Sequence, residues 1–134
     1  MLWDYPDYID FVKDVMKLPP DLQKVEFQEW QKDTATFSPK LFPGFLDMLK
    51  EYRKRGGIIC VCSHSQAHDI ERHYKEFGFI PDEIFGYVIG HPEMCKPFTY
   101  PIDTIKAKYN LQSSDIAVID DLYPGLKMAI DSGA

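Results

Sequence analysis

From Pro43 onward the chain alternates helical stretches with short strand-like ones, and the first of these, "IICVC", is wholly apolar. A strand without polar positions is buried on both faces, as happens when helices cover both sides of a parallel sheet. "PGFLDMLKEYRKRGG" sets Phe45, Leu46, Leu49 and Tyr52 along one helical face and closes on Gly56 and Gly57, a C-terminal signature. "IICVC" then reads as a strand. "HDIERHYKEFG" follows as a helix with Ile70, Tyr74 and Phe77 inward, "GYVIG" as a second strand, "PIDTIKAKYNL" as a helix, and "IAVID" as a third strand leading into a last helix. This succession predicts a doubly wound α/β arrangement.

The first forty residues differ. Tyr8, Phe11, Val12, Val15 and Met16 keep helical spacing until "KLPPD" stops them, because proline cannot continue a helix interior. A second helix is expected from about Asp21, carrying Leu22, Val25, Phe27 and Trp30, until "TFSPKLFPG" breaks the pattern. The 134 residues suffice for one core with a small insert, and 45% hydrophobic with 14% aromatic residues describes a packed globule. A net charge of −6 argues against a nucleic-acid partner held by phosphate neutralisation. The basic run "KEYRKR" reads as a solvated helix face. Three cysteines, Cys60, Cys62 and Cys95, cannot all pair within one chain, which suits a reducing cytoplasm. No apolar run reaches the length of a membrane span, so neither a membrane nor a nucleic-acid partner is expected.

In doubly wound sheets the ligand lies beyond the carboxyl ends of the strands. "IICVC" ends at Ser63-His64-Ser65 and "IAVID" ends at Asp120-Asp121, so a hydroxyl and two carboxylates are expected on one rim. Two adjacent like charges there suit a cation, although an Asp at a strand end also serves as a plain helix cap. Ser63 can bind a phosphate oxygen beside helix N–H groups or merely cap the helix. Lys96, fixed by Pro97, can neutralise a phosphate, hold a carboxylate, or sit as a surface charge. The nearby Cys60, Cys62, His64 and His68 also allow a zinc site, against which stands the placement of Cys60 and Cys62 on one face of a strand. His73 and His91 read as packing or surface residues.

Taken together, Ser63 in "IICVCSHS", Lys96 in "CKP" and "VIDDLYPGLKMAIDSGA" with its Gly125 resemble the second, third and fourth motifs of the haloacid dehalogenase superfamily. "LFPGFLDMLKEYRKRGG" looks like the helix before the second motif in the phosphoglycolate-phosphatase-like branch. The resemblance covers residues 41–134. It implies a Rossmann-like three-layer α/β/α core with a mainly parallel sheet over 41–134 and a small helical cap over 1–40. It further implies Mg²⁺ held by Asp120 and Asp121, phosphate bound by Ser63, His64 and Lys96, and hydrolysis of a small phosphorylated substrate through an aspartyl-phosphate.

The superfamily's first motif, a strand ending in Asp-x-Asp-x-Thr or Val, is not found in the chain. Asp4 in "MLWDYPD" can be set against its nucleophile, but Pro6 then replaces the acid/base aspartate. The register with Leu2-Trp3-Asp4 just after the motif fits better, and the nucleophile then lies before Met1. On that register the sheet is incomplete. A missing central strand is expected either to come from a second chain or copy, or to let its two neighbours close on each other, and the chain alone is expected to be inactive. The other function class left open is a non-catalytic α/β binding or interaction module that keeps its carboxylate pair for structure or for weak Mg²⁺ binding.

Overall fold

The computed structural model describes Tyr5 and residues 8–134. Asp4, and with it both registers for the first motif, lies outside the described residues. Among the described residues there are six α-helices and a short two-stranded parallel sheet. In chain order these are α1 (Tyr8–Asp14), α2 (Pro20–Thr36), α3 (Phe45–Lys54), β1 (Cys60–Cys62), α4 (Ala67–Glu76), β2 (Glu83–Phe85), α5 (Tyr100–Tyr109) and α6 (Tyr123–Ser132). The helix periodicity read from the sequence corresponds to these six. Pro20 opens α2 at a position where a missing N–H costs nothing, and Gly56, at φ +87°, follows the end of α3 in the left-handed region that glycine adopts freely.

The strands are where expectation and structure part. β1 occupies only the last three residues of "IICVC" and is half-buried, not covered on both faces. Its partner is not "GYVIG" but Glu83–Phe85, just upstream, with Cys60 opposite Glu83 and Cys62 opposite Phe85. Asp82 explains the shift. Its backbone N–H donates to the Ile59 carbonyl at 2.7 Å, and its carboxylate accepts the Ile59 N–H at 2.8 Å, locking the register ahead of the ladder. Beyond Phe85, Gly86 lies so close to α4 that a Cβ would come within 2.7 Å of the Ala67 Cα and 2.8 Å of the Ser65 carbonyl oxygen. Residues 86–90 therefore leave the ladder, keeping one bond from the Tyr87 N–H to the Ser65 carbonyl.

"IAVID" forms no strand among the described residues. It runs without a ladder partner, and Ile119 is 93% exposed. Thus 116–120 does not close onto β1. The core lies instead between helices and sheet edge: Leu49, Ile59 and Phe79 pack with Leu46 and Tyr74, and Pro101, Ile102, Ile105 and Met128 are buried where α5 meets α6. At the other end α1 packs on α2 through the stacked rings of Tyr8 and Trp30, 5.6 Å apart, with Phe27 tilted against Trp30 and Val12 buried beneath. The end of α2 is tied to α4, since Arg72 donates to the carbonyls of Thr34 and Phe37 and His73 Nε2 lies 2.8 Å from the latter.

Asp82 supplies a pH prediction. Burial raises its pKa, but the Ile59 N–H and the Arg53 guanidinium outweigh that and leave it below the ordinary aspartate value. A carboxylate with a depressed folded pKa adds stability that is present above its unfolded pKa, about 3.9, and lost as pH falls through the folded one. Asp82→Asn is therefore expected to lower stability at neutral pH and to flatten the acid limb below about pH 4. Urea midpoints measured from pH 2 to 7 on both proteins check it, and parallel curves would show that the Asp82 carboxylate is not held below its ordinary value.

Candidate functional site

β1 delivers Ser63 and His64 to the mouth of a cleft of about 330 Å³. The Ser63 N–H still bonds the Phe85 carbonyl, so the ladder holds the backbone up to the first residue of the site. Its hydroxyl accepts the Ser65 N–H at 3.2 Å, a local turn that aims the side chain before α4 begins. A short 3₁₀ turn, Pro92–Met94, then brings up Cys95 and Lys96, and the peptide bond between Lys96 and Pro97 is cis. The far wall is helical and aromatic: Tyr5, Tyr8 and Trp30 face the cleft together with Thr34, while Tyr87 and Leu122 close its sides.

Lys96 is only 8% exposed. Its Nζ donates to Asp120 Oδ2 at 2.5 Å, and the two side chains are 10% and 11% exposed, so an ion pair is held almost out of water. The other oxygen of Asp120 accepts the Leu122 N–H at 2.9 Å and so shapes the start of α6. Gly125 makes this approach possible, because a Cβ there would overlap the Asp120 carboxylate and lie 2.5 Å from the Asp120 Cβ. Asp121, the next residue, is exposed and lines the cleft. Ser63, His64, Lys96 and Asp121 therefore share one cavity, and Asp120 meets it through Lys96.

His64 does more than its sequence position suggested. Its Nε2 lies 2.9 Å from the Lys96 carbonyl, which can only accept, so this nitrogen carries the proton. Burial, together with the Lys96 charge, lowers its pKa. The imidazole thus braces the lysine turn against the end of β1.

The cysteines also form an arrangement that no local pattern announced. Cys62 Sγ and Cys95 Sγ are 3.7 Å apart, and Cys95 donates to the Ser63 carbonyl at 3.1 Å. The contact with Cys95 draws the Cys62 pKa down, with help from the Lys96 N–H and ammonium, while Cys95 is pushed well up by the same contact and by burial. Cys60 stands apart, its thiol pushed up to about 11 by burial first and by Glu83 and Asp82 next. Among the described residues no three His, Cys, Asp or Glu side chains gather to hold a metal, so the zinc reading of Cys60, Cys62, His64 and His68 finds no site. His64 bonds Lys96, and His68 lies beside Asp69.

The model of the haloacid dehalogenase-like hydrolases matches residues 5–133. The chain belongs to this family of hydrolases. No curated protein and no solved structure gives a significant match. As a haloacid dehalogenase-like hydrolase, the chain has a cleft whose polar residues come from the end of β1, the lysine turn and the unpaired run that leads into α6, on an α/β framework. For magnesium, the donors are hard carboxylate oxygens of the kind it accepts, Asp121 in the cleft and Asp120 beside it, and one or two carboxylates are enough for that ion. No helix among the described residues is long and apolar enough to cross a membrane.

Proposed function

We propose that the cleft is the phosphate site of a Mg²⁺-dependent phosphatase of the phosphoglycolate-phosphatase-like branch, acting on a small phosphate monoester through an aspartyl-phosphate. The observation that carries this reading is the buried Lys96–Asp120 pair at the head of the cavity lined by Ser63, His64 and Asp121. Lys96 binds a phosphoryl oxygen and orients the attacking carboxylate. The Ser63 hydroxyl and the His64 backbone N–H receive two further oxygens, while the His64 ring keeps the lysine turn in place. Asp120 holds the ammonium in position, and Asp120 and Asp121 are the residues that would hold magnesium. The ion, when bound, supplies positive charge that offsets charge on the transferred group. Residues 1–40 act as a cap whose aromatic wall of Tyr8 and Trp30 closes over the substrate.

The attacking carboxylate and its acid/base partner are not among the cleft residues named here, and these 134 residues alone turn over substrate at a negligible rate. The unpaired run 116–120 is where a strand from another chain or a second copy completes the sheet. A buffer containing MgCl₂ and inorganic phosphate is expected to raise the melting temperature of the chain, since saturation to a hundred times Kd adds about 2.7 kcal/mol. Asp121→Asn and Ser63→Ala should lose that shift while melting normally without ligand. Absence of the shift in the native sequence defeats the site assignment. Turnover of p-nitrophenyl phosphate at a family-typical rate, abolished by Asp4→Asn, would instead make Asp4 the nucleophile. A gel-filtration mass of a strict monomer at high concentration removes the strand-exchange part alone. A module without catalysis would show the magnesium shift but none with phosphate.

A further inference from the structure

We propose that Cys62 and Cys95 are a redox pair that closes into a disulfide next to the cleft when the protein meets a peroxide. Their sulfurs already touch at 3.7 Å, and each is the residue immediately before a cleft residue, Ser63 in one case and Lys96 in the other. Exposure divides the roles. Cys62 is half-buried, directly before a residue that lines the cleft, whereas Cys95 is 1% exposed and meets a small oxidant only through its partner. Cys62 is therefore the sulfur attacked first and Cys95 the one that resolves it. Cys60, on the same strand, is opposite Glu83 and takes no part.

The chemistry balances with hydrogen peroxide as the oxidant. The Cys62 thiolate attacks one peroxide oxygen, the O–O bond breaks, and hydroxide leaves and is protonated to water, giving a sulfenic acid. The Cys95 sulfur then displaces the sulfenic hydroxyl, forming the S–S bond while its own proton leaves with that hydroxyl as a second water. The two sulfurs together give up two electrons, and peroxide is reduced to two waters. Closing the pair takes the two sulfurs from 3.7 Å to a bond length of about 2.05 Å and ties the end of β1 to the lysine turn. It also consumes the thiol hydrogen that Cys95 donates to the Ser63 carbonyl. Lys96 directly follows Cys95 on that turn, which the His64 ring braces, so the link is formed one residue from the lysine.

The full chain, treated with a small excess of hydrogen peroxide and quenched with iodoacetamide under denaturing conditions, reads this directly. Alkylatable thiols are expected to fall from three to one, the remaining one being Cys60, with a loss of two hydrogens in intact mass. A non-reducing digest should yield a peptide joining the segment around Cys62 to that around Cys95, and dithiothreitol should restore all three thiols. Cys62→Ser and Cys95→Ser should each abolish the intramolecular link, and Cys60→Ser, whose side chain is outside the pair, should keep it. Any of three results overturns the proposal: a link that uses Cys60, links only between chains, or Cys62 carried on to sulfinic acid while Cys95 is still alkylated. Because the readout is thiol counting, it succeeds or fails independently of whether the cleft binds phosphate.

Discussion

Lys96→Met is expected to cost about 3–5 kcal/mol of folding stability, because it removes one partner of a nearly buried ion pair and leaves the other charged in a dry position. Asp120 is 11% exposed, and after the substitution its Oδ2 has lost its ammonium partner while Oδ1 still serves the Leu122 N–H. A domain of this size has a total stability of about 5–15 kcal/mol, so the single variant stands near the edge of unfolding. Asp120→Asn in the same chain removes the stranded charge and keeps an oxygen for the Leu122 N–H. The double variant Lys96→Met with Asp120→Asn is therefore expected to recover most of the loss, giving a coupling energy above about 2 kcal/mol in a double-mutant cycle. Urea unfolding of the four proteins measures this. A cost below about 1 kcal/mol for Lys96→Met would class the pair with exposed salt bridges and take away the electrostatic head of the cleft.

The second large effect is one of sign. Gly125 lies in the first turn of α6, where replacing glycine by alanine ordinarily gains about 1 kcal/mol. Here a Cβ overlaps the Asp120 carboxylate, so Gly125→Ala can be accommodated only if that carboxylate swings away from Lys96 and from the Leu122 N–H together. The expected result is a loss of about 2–3 kcal/mol, the range of an overpacked site. In a background of Asp120→Gly the three atoms nearest to that Cβ are gone, and Gly125→Ala should turn neutral or stabilising. Thermal melts of the three variants decide it. Destabilisation that persists in the Asp120→Gly background would assign the effect to the helix and not to the carboxylate.

The helices were legible because their signals are local. Apolar residues three and four apart, a proline before α2 and Gly56 after α3 act within one or two turns, so each could be read without knowing what the helix packs on. The order of Ser63, Lys96 and the aspartate pair was legible too, and Gly125 was legible as part of the last motif, but that its missing side chain leaves room for Asp120 came only with the structure. Strands carry less information. "GYVIG" has better strand composition than "DEIFG", yet the ladder forms on the latter because Asp82 bonds both to and from Ile59, a tertiary contact that composition cannot encode. Likewise "IAVID" reads as a strand by its apolar run, and it lacks a ladder among the described residues because a strand needs a neighbour.

By itself, then, the amino-acid order determined the helical segments, the turn residues that end them and the set of polar groups available at the strand ends. Tertiary structure alone decided that Lys96 spends its charge on Asp120, that the His64 ring braces the lysine turn, and that Cys62 faces Cys95 and not a metal. The physical reason is range. Helix periodicity and capping are settled by atoms a few residues apart, whereas these pairings join groups 24 to 33 positions apart, and only the packing of β1 against the lysine turn and the start of α6 brings them within bonding distance.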